Sequence, residues 1–185
     1  MTLLWLAFAC APEAAPLCPS YSGLTALGRT WEYEAFVGDE RWTVELTELG
    51  VGGVTRVAEG WTETFLCDAD GLWAVSRHES DGDAWAEWEF DPPALSMPAE
   101  IAPGDAWTTE AAWHYTDSAG VTKTESLSTQ YEVVAAVESN VAAGSFEALE
   151  LRVLGGQVGR DTEYRAAGVG LLLTDAAQLV EVAEP

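Results

Sequence analysis

From Thr30 to Val37 the sequence reads TWEYEAFV, and on an extended chain this alternation makes two chemically opposite faces. Trp31, Tyr33, Ala35 and Val37 share one face, and Glu32 and Glu34 share the other. That period of two marks a strand with one side against a core. RWTVELTEL repeats it, with Trp42, Val44 and Leu46 opposed to Thr43, Glu45 and Thr47. The intervening GDE sits at hairpin distance, so the two segments are expected to be antiparallel neighbours. The same grammar recurs in VTRVAE, WTETFLC, LWAVSRH and AWAEWEF, which Gly60, DADG and ESDGD separate. AWTTEAAWHYT, the turn DSAG and the long run VTKTESLSTQYEVVAAV come next. FEALELRVL, TEYRA, LLLT and QLVEVA close the chain. No segment carries a helical period. The expectation is an all-β fold, an antiparallel β-sandwich or partly open β-barrel of about ten strands.

One stretch breaks the pattern. DPPALSMPAEIAPGD, from Asp91 to Asp105, holds Pro92, Pro93, Pro98 and Pro103, and is expected to be irregular because proline cannot donate to a central ladder. Beyond it Gly104-Asp105-Ala106-Trp107 echoes Gly28-Arg29-Thr30-Trp31. The domain from 24 to 185 therefore reads as a candidate pair of similar β-meanders, 24–100 and 101–182. In VAAGSFEALELRV, Gly144 is expected to supply a positive φ at a tight connection, with Phe146, Leu149, Leu151 and Val153 resuming the core.

The start of the chain points to export. LLWLAFAC places a short apolar run and the small residues Ala7 and Ala9 directly before Cys10. Residues 1–9 read as a signal peptide and Cys10 as a lipidation site, the lipid anchor holding the protein to a membrane. The competing reading is an ordinary strand, or a cleaved secretory signal with a free Cys10. Residues 10–23 then form the lipidated cysteine and a Pro/Ala tether, in which Pro12, Pro16 and Pro19 favour an extended spacer of roughly 30 Å. Three cysteines cannot all pair within one chain. With lipid on Cys10, Cys18 and Cys67 remain as a candidate disulfide in an oxidising compartment, the alternative being a buried Cys67 thiol.

Charge narrows the partners. The chain has 31 acidic against 8 basic residues, a formal net charge of -23. Nothing so acidic neutralises phosphates, which excludes nucleic acid. The acidity suits solubility better than it suits a cation site. Weak calcium candidates are Asp68 and Asp70 in CDADG and Asp81 and Asp83 in SDGD, but neither completes an EF-hand loop. His78 and His114 are the two histidines, and neither has metal-ligand spacing. Ser145 lacks a nucleophile-elbow context. Glu87 and Glu89 share a strand face and could imitate a glycosidase pair, which keeps a hydrolase as a minor alternative. Trp85 lies on their side of the strand, where an exposed ring could contact a ligand. No catalytic residue and no cofactor is assigned.

Four segments carry a resemblance. LTALGRTWEYEA is similar to a P-L-x-x-G-x-x-W-x-Y opening, and DPPALSMPAEIAPGDAWTT to a D-P-P-x-L-x-x-P-x-x-x-x-x-G-x-x-W centre. VAAGSFEAL is similar to V-x-A-G-x-F-x-A-L, and YRAAGVGLLLTD to a closing Y-x-A-x-G-V-G-L-V. In this order, from Leu24 to Asp175, they resemble a class of exported bacterial lipoproteins of unknown function. Gly23 stands where that class has Pro, and Ala142 replaces a frequent Pro. The resemblance implies location and architecture, with no activity to carry over. Ala11 after Cys10 implies outer-membrane sorting, with the domain periplasmic or on the cell surface.

The functional expectation is a non-enzymatic binding or structural β-domain of the cell envelope, meeting an envelope protein or a hydrophobic ligand. Its alternative is a carrier that shelters a hydrophobic or lipid ligand in a half-open barrel. That alternative requires a cavity of at least about 300 Å³, and an interior filled by Trp31, Trp42, Trp88 and Trp107 packed together would exclude it.

Overall fold

The computed structural model describes residues 18–50, 53–155 and 159–185. The signal segment 1–9, Cys10 and the tether as far as residue 17 lie outside the described residues. Twelve strands follow one short 3₁₀ turn, Ser20–Ser22. They are β1 Thr30–Ala35, β2 Arg41–Gly50, β3 Gly53–Ala58, β4 Trp61–Cys67, β5 Gly71–Asp81 and β6 Ala84–Pro98. Then come β7 Ala106–Asp117, β8 Thr122–Val141, β9 Gly144–Gly155, β10 Gly159–Ala166, β11 Gly170–Leu173 and β12 Ala177–Ala183. Each strand pairs antiparallel with its neighbours in sequence, and β1 pairs with β12 to close the ring. The all-β antiparallel expectation holds, and the choice between sandwich and open barrel resolves to a closed one.

Alternation builds the wall as the sequence implied. Trp31, Tyr33, Val44, Leu46, Val54 and Phe65 point inward and are buried, as are Leu151, Leu172 and Leu179 farther round. Each fully buried leucine contributes roughly 2 kcal/mol of apolar transfer. β1 stops short of the expected length: it ends at Ala35, and Val37 projects from the β1–β2 turn, 91% exposed.

The proline-rich stretch departs more from expectation. β6 runs on through Pro92 and Pro93 to Pro98. It tolerates them because the β5 ladder steps from Glu89 straight to Ala94, so no partner waits for the N–H groups the prolines lack. The β6–β7 ladder also ends there, at Asp91 against Ala112. From that point the two strands splay, bridged by the Thr109 hydroxyl donating to the Leu95 carbonyl. Only residues 99–105 are irregular, and the half-buried Ile101 packs against the core from there.

At the β8–β9 connection Gly144 has φ +138°, and an added Cβ would meet nothing closer than the Phe146 ring at 3.8 Å. Strain from Gly144→Ala would therefore be backbone strain alone, and the variant should lose about 1 kcal/mol or more. An unchanged urea midpoint would show that the turn does not need glycine.

The two ends of the barrel differ. The near end gathers the 3₁₀ turn, the start of β1, the end of β12 and the β4–β5 and β10–β11 connections. Cys18 is bonded to Cys67 there, with the Cα atoms 5.1 Å apart. Ser22 and Leu24 are buried across this end and plug it. The far end carries the β3–β4, β5–β6, β7–β8 and β11–β12 hairpins.

Candidate functional site: the barrel lumen

Side chains alone fill a barrel of about eight strands, and this one has twelve, so its wider half leaves space. A cavity of about 450 Å³ lies inside it. Ser22 and Leu24 from the plug line its floor. Trp88 and Phe90 from β6, Trp107 and Trp113 from β7, and Leu127 and Tyr131 from β8 form an aromatic wall. Arg56, Glu63, Arg77 and Glu79, from β3 to β5, form an ionic wall, and Glu163 and Arg165 line the lumen from β10 on the other side of the ring. The mouth lies where Arg77 and Glu79 reach solvent, their side chains 42% and 44% exposed.

The four tryptophans whose joint packing would have closed the interior are dispersed. Trp31 donates its Nε1–H to the Val169 carbonyl in the plug at 2.7 Å. Trp42 stacks on Tyr33, with centroids 5.7 Å apart. Trp88 leans on Tyr115 at 5.3 Å, and Trp107 stacks on Tyr131 at 4.8 Å.

The charged residues of the lumen are paired. Glu63 Oε2 accepts from Arg56 Nε at 2.6 Å and lies 2.5 Å from its Nη2 in the ion pair, and Glu63 Oε1 accepts from Arg77 Nη1 at 3.0 Å. Glu79 Oε1 takes Arg77 Nε and Nη2, both at 2.7 Å. Glu163 Oε2 takes Arg165 Nε and Nη2, again at 2.7 Å. The Arg56 guanidinium also lies 5.1 Å from the Phe65 ring and 5.7 Å from the Trp61 ring, within cation–π range. Burial opposes the charge on Arg165, yet Glu163 beside it raises the guanidinium pKa further, so this arginine stays charged.

Tyr33 reaches into the same interior and donates its hydroxyl proton to the Leu171 carbonyl at 3.1 Å. Burial pushes the phenol up to about 12, against the pull of Arg56 and Arg165. The unfolded chain ionises this tyrosine near pH 10, two units lower. Below that pH both states hold the proton, and the contribution is fully present. Between about pH 10 and about pH 12 the unfolded state releases it first, so stability falls by about 3 kcal/mol. Tyr33→Phe should shrink this alkaline loss while costing about 1 kcal/mol at neutral pH. Urea titrations at about pH 9 and about pH 12 test the sign, and equal alkaline losses in both proteins would refute it.

The sites expected from sequence lie elsewhere. Trp85, Glu87 and Glu89 alternate with Trp88 and Phe90 and so face outward, away from the lumen. Trp85 is 38% exposed and stacks on His78 with centroids 6.1 Å apart. Across the ladders Glu87 opposes His78, and Glu89 opposes His114, so both histidines are on the outer wall. Asp68 closes the near-end β4–β5 turn, its Oδ1 accepting from the Asp70 and Gly71 amides and from Trp73 Nε1 at 2.9 to 3.0 Å. The Trp73 bond, with those from the backbone, holds its carboxyl below the usual range. Asp81 and Asp83 flank the β5–β6 turn at the far end, so the two aspartate pairs do not converge. Among the described residues no group of three or more His, Cys, Asp or Glu is placed to hold a metal ion.

Sequence reasoning missed the lumen ions, although a signal was present. Arg56 shares its strand parity with Val54 and Ala58, and Glu63 sits between Trp61 and Phe65 on one face. A charge on the apolar face of a strand needs a partner across the interior. Compared with protein-family models, characterised proteins and solved structures, the chain matches none.

Proposed function

We propose that this chain is an exported, membrane-anchored binding protein of the bacterial cell envelope that carries a hydrophobic or amphipathic ligand in its barrel lumen without chemical change. The cavity of about 450 Å³ carries the reading. It falls within the size range of small-molecule sites, and it joins an aromatic wall to six charged side chains that can orient a ligand. The Cys18–Cys67 bond suits an oxidising compartment. A lipid on Cys10 would tether the molecule beside its plugged end and leave the mouth facing away from the membrane.

The test has two parts. Protein purified from its host membrane is weighed intact for lipid on Cys10, and an organic extract is searched for a stoichiometric small molecule. The purified domain is then titrated with a hydrophobic fluorophore, with Ala74→Phe, a lumen position, as the blocked control. Binding that the phenylalanine abolishes supports the reading. An empty extract together with no Ala74-dependent binding overturns it.

A further inference from the structure

We infer that the ligand of the lumen is an amphipathic anion, with an apolar body against the aromatic wall and a carboxylate-like head against Arg56 and Arg165; this rests on the binding reading above.

The first observation is where the cations are. The chain has eight basic residues among 31 acidic ones. Three of the eight, Arg56, Arg77 and Arg165, line a single cavity. Solubility does not call for arginines there, since inward-facing charge costs desolvation.

The second observation is which hydrogen-bonding groups are already engaged. Each guanidinium presents five N–H donors. Arg56 and Arg165 each donate Nε to a glutamate oxygen, with Nη2 in ion-pair contact with the same oxygen, and among the described residues neither Nη1 has an acceptor. The buried Trp107 Nε1 at the edge of the same cavity also has none. Each lumen carboxylate is already balanced by an arginine, Glu63 through both oxygens, Glu79 through Oε1 and Glu163 through Oε2. The spare donor groups, on Arg56, Arg165 and Trp107, outnumber the two spare carboxylate oxygens, so an incoming ammonium is less well met. An incoming carboxylate meets free N–H groups that are charged and preorganised, the stronger class of hydrogen bond.

The third observation is the apolar stretch beside the ions. Trp88 is the ladder neighbour of Arg77, and from it Phe90, Trp113 and Leu127 continue an apolar surface round the lumen. A molecule filling the space therefore touches both hydrocarbon or ring and cationic N–H. A wholly apolar ligand would leave those donors without acceptors, which costs affinity.

Octanoic acid, octanol and octylamine share a chain and differ in head group. Each is titrated into the intact, disulfide-bonded protein at neutral pH, with calorimetry and tryptophan emission as readouts. The acid is expected to bind tighter than the alcohol and the amine by about tenfold or more. Arg56→Gln leaves Glu63 held by Arg77 and should reduce acid affinity by about tenfold while leaving octanol unchanged. A paired Glu163→Gln/Arg165→Gln variant removes the second cation without stranding its partner and should act in the same direction. Circular dichroism checks that each variant is folded. Octanol or octylamine binding as tightly as the acid, in an Ala74-dependent manner, would overturn the anionic head and leave the carrier standing. Binding by none of the three would bring down the carrier reading, and this inference with it.

Discussion

Breaking the Cys18–Cys67 bond is expected to lower stability by about 4 kcal/mol, the loop-closure entropy for its span. The two cysteines are 49 residues apart in sequence. In the unfolded chain the bond removes the freedom of that whole segment, which holds β1 to β4. In the folded barrel it fastens the segment before the 3₁₀ turn to the end of β4. The turn itself is short, with Ser22 Oγ donating to the Pro19 carbonyl at 2.6 Å and accepting from the Leu24 amide at 3.2 Å. Besides the disulfide, the Gly168 amide donating to the Ser20 carbonyl at 2.8 Å and the burial of Ser22 and Leu24 hold it to the barrel. A Cys18→Ser/Cys67→Ser variant, compared with the native protein in urea, should show the full loss. It should also exchange the amides of Ser22 to Thr25 faster than those of β8 and β9. A loss below about 1 kcal/mol would mean that the plug holds itself.

Arg29→Met is expected to cost about 3 kcal/mol, because it removes the charge-assisted hydrogen bonds that a buried guanidinium makes to two carbonyls and a hydroxyl. Arg29 is only 8% exposed. Its Nη1 donates to the Gly23 carbonyl at 3.1 Å, to Thr25 Oγ1 at 2.9 Å and to the Gly168 carbonyl. Its Nε and Nη2 hold Glu184 at 3.2 and 2.5 Å. Glu184 is 62% exposed, so the ion pair itself adds little, and the cost lies in the lost bonds to the Gly23 and Gly168 carbonyls and Thr25. Methionine keeps most of the aliphatic volume, which separates hydrogen bonding from packing. Glu184→Gln should change stability by less than about 1 kcal/mol, and an equal loss in both variants would assign the effect to the ion pair instead.

These two results would explain the ordered motifs in physical terms. Arg29, Trp31 and Tyr33 belong to the opening motif, and each uses its polar tip on a carbonyl of the closing one, at Gly168, Val169 and Leu171. Gly23 and Gly170 lie between them without side chains. A Cβ on Gly23 would come within 2.2 Å of the Val169 oxygen, and one on Gly170 within 2.7 Å of the Ser22 oxygen. The opening and closing segments therefore meet at the plug. The lumen's arginines and glutamates fall outside those motifs except for Arg165, next to the closing tyrosine, although Trp107 of the central segment lines the lumen.

The sequence by itself determined the local geometry. Alternation of Trp31 and Tyr33 with Glu32 and Glu34 set the strand and its inward face, and spacing made each hairpin antiparallel. Counting cysteines offered a Cys18–Cys67 pair, which the structure joins. Each depends on residues near one another or on simple counting. Tertiary structure alone decided that β1 meets β12, that β6 continues past its prolines where no partner needs their N–H groups, and that one half of the ring is filled while the other is hollow. It also decided that Arg56, Arg77 and Arg165 converge on one space. Ring closure and cavity volume depend on strand number and tilt summed around the whole barrel. No single segment encodes that sum, so the lumen became visible only once all twelve strands were in place.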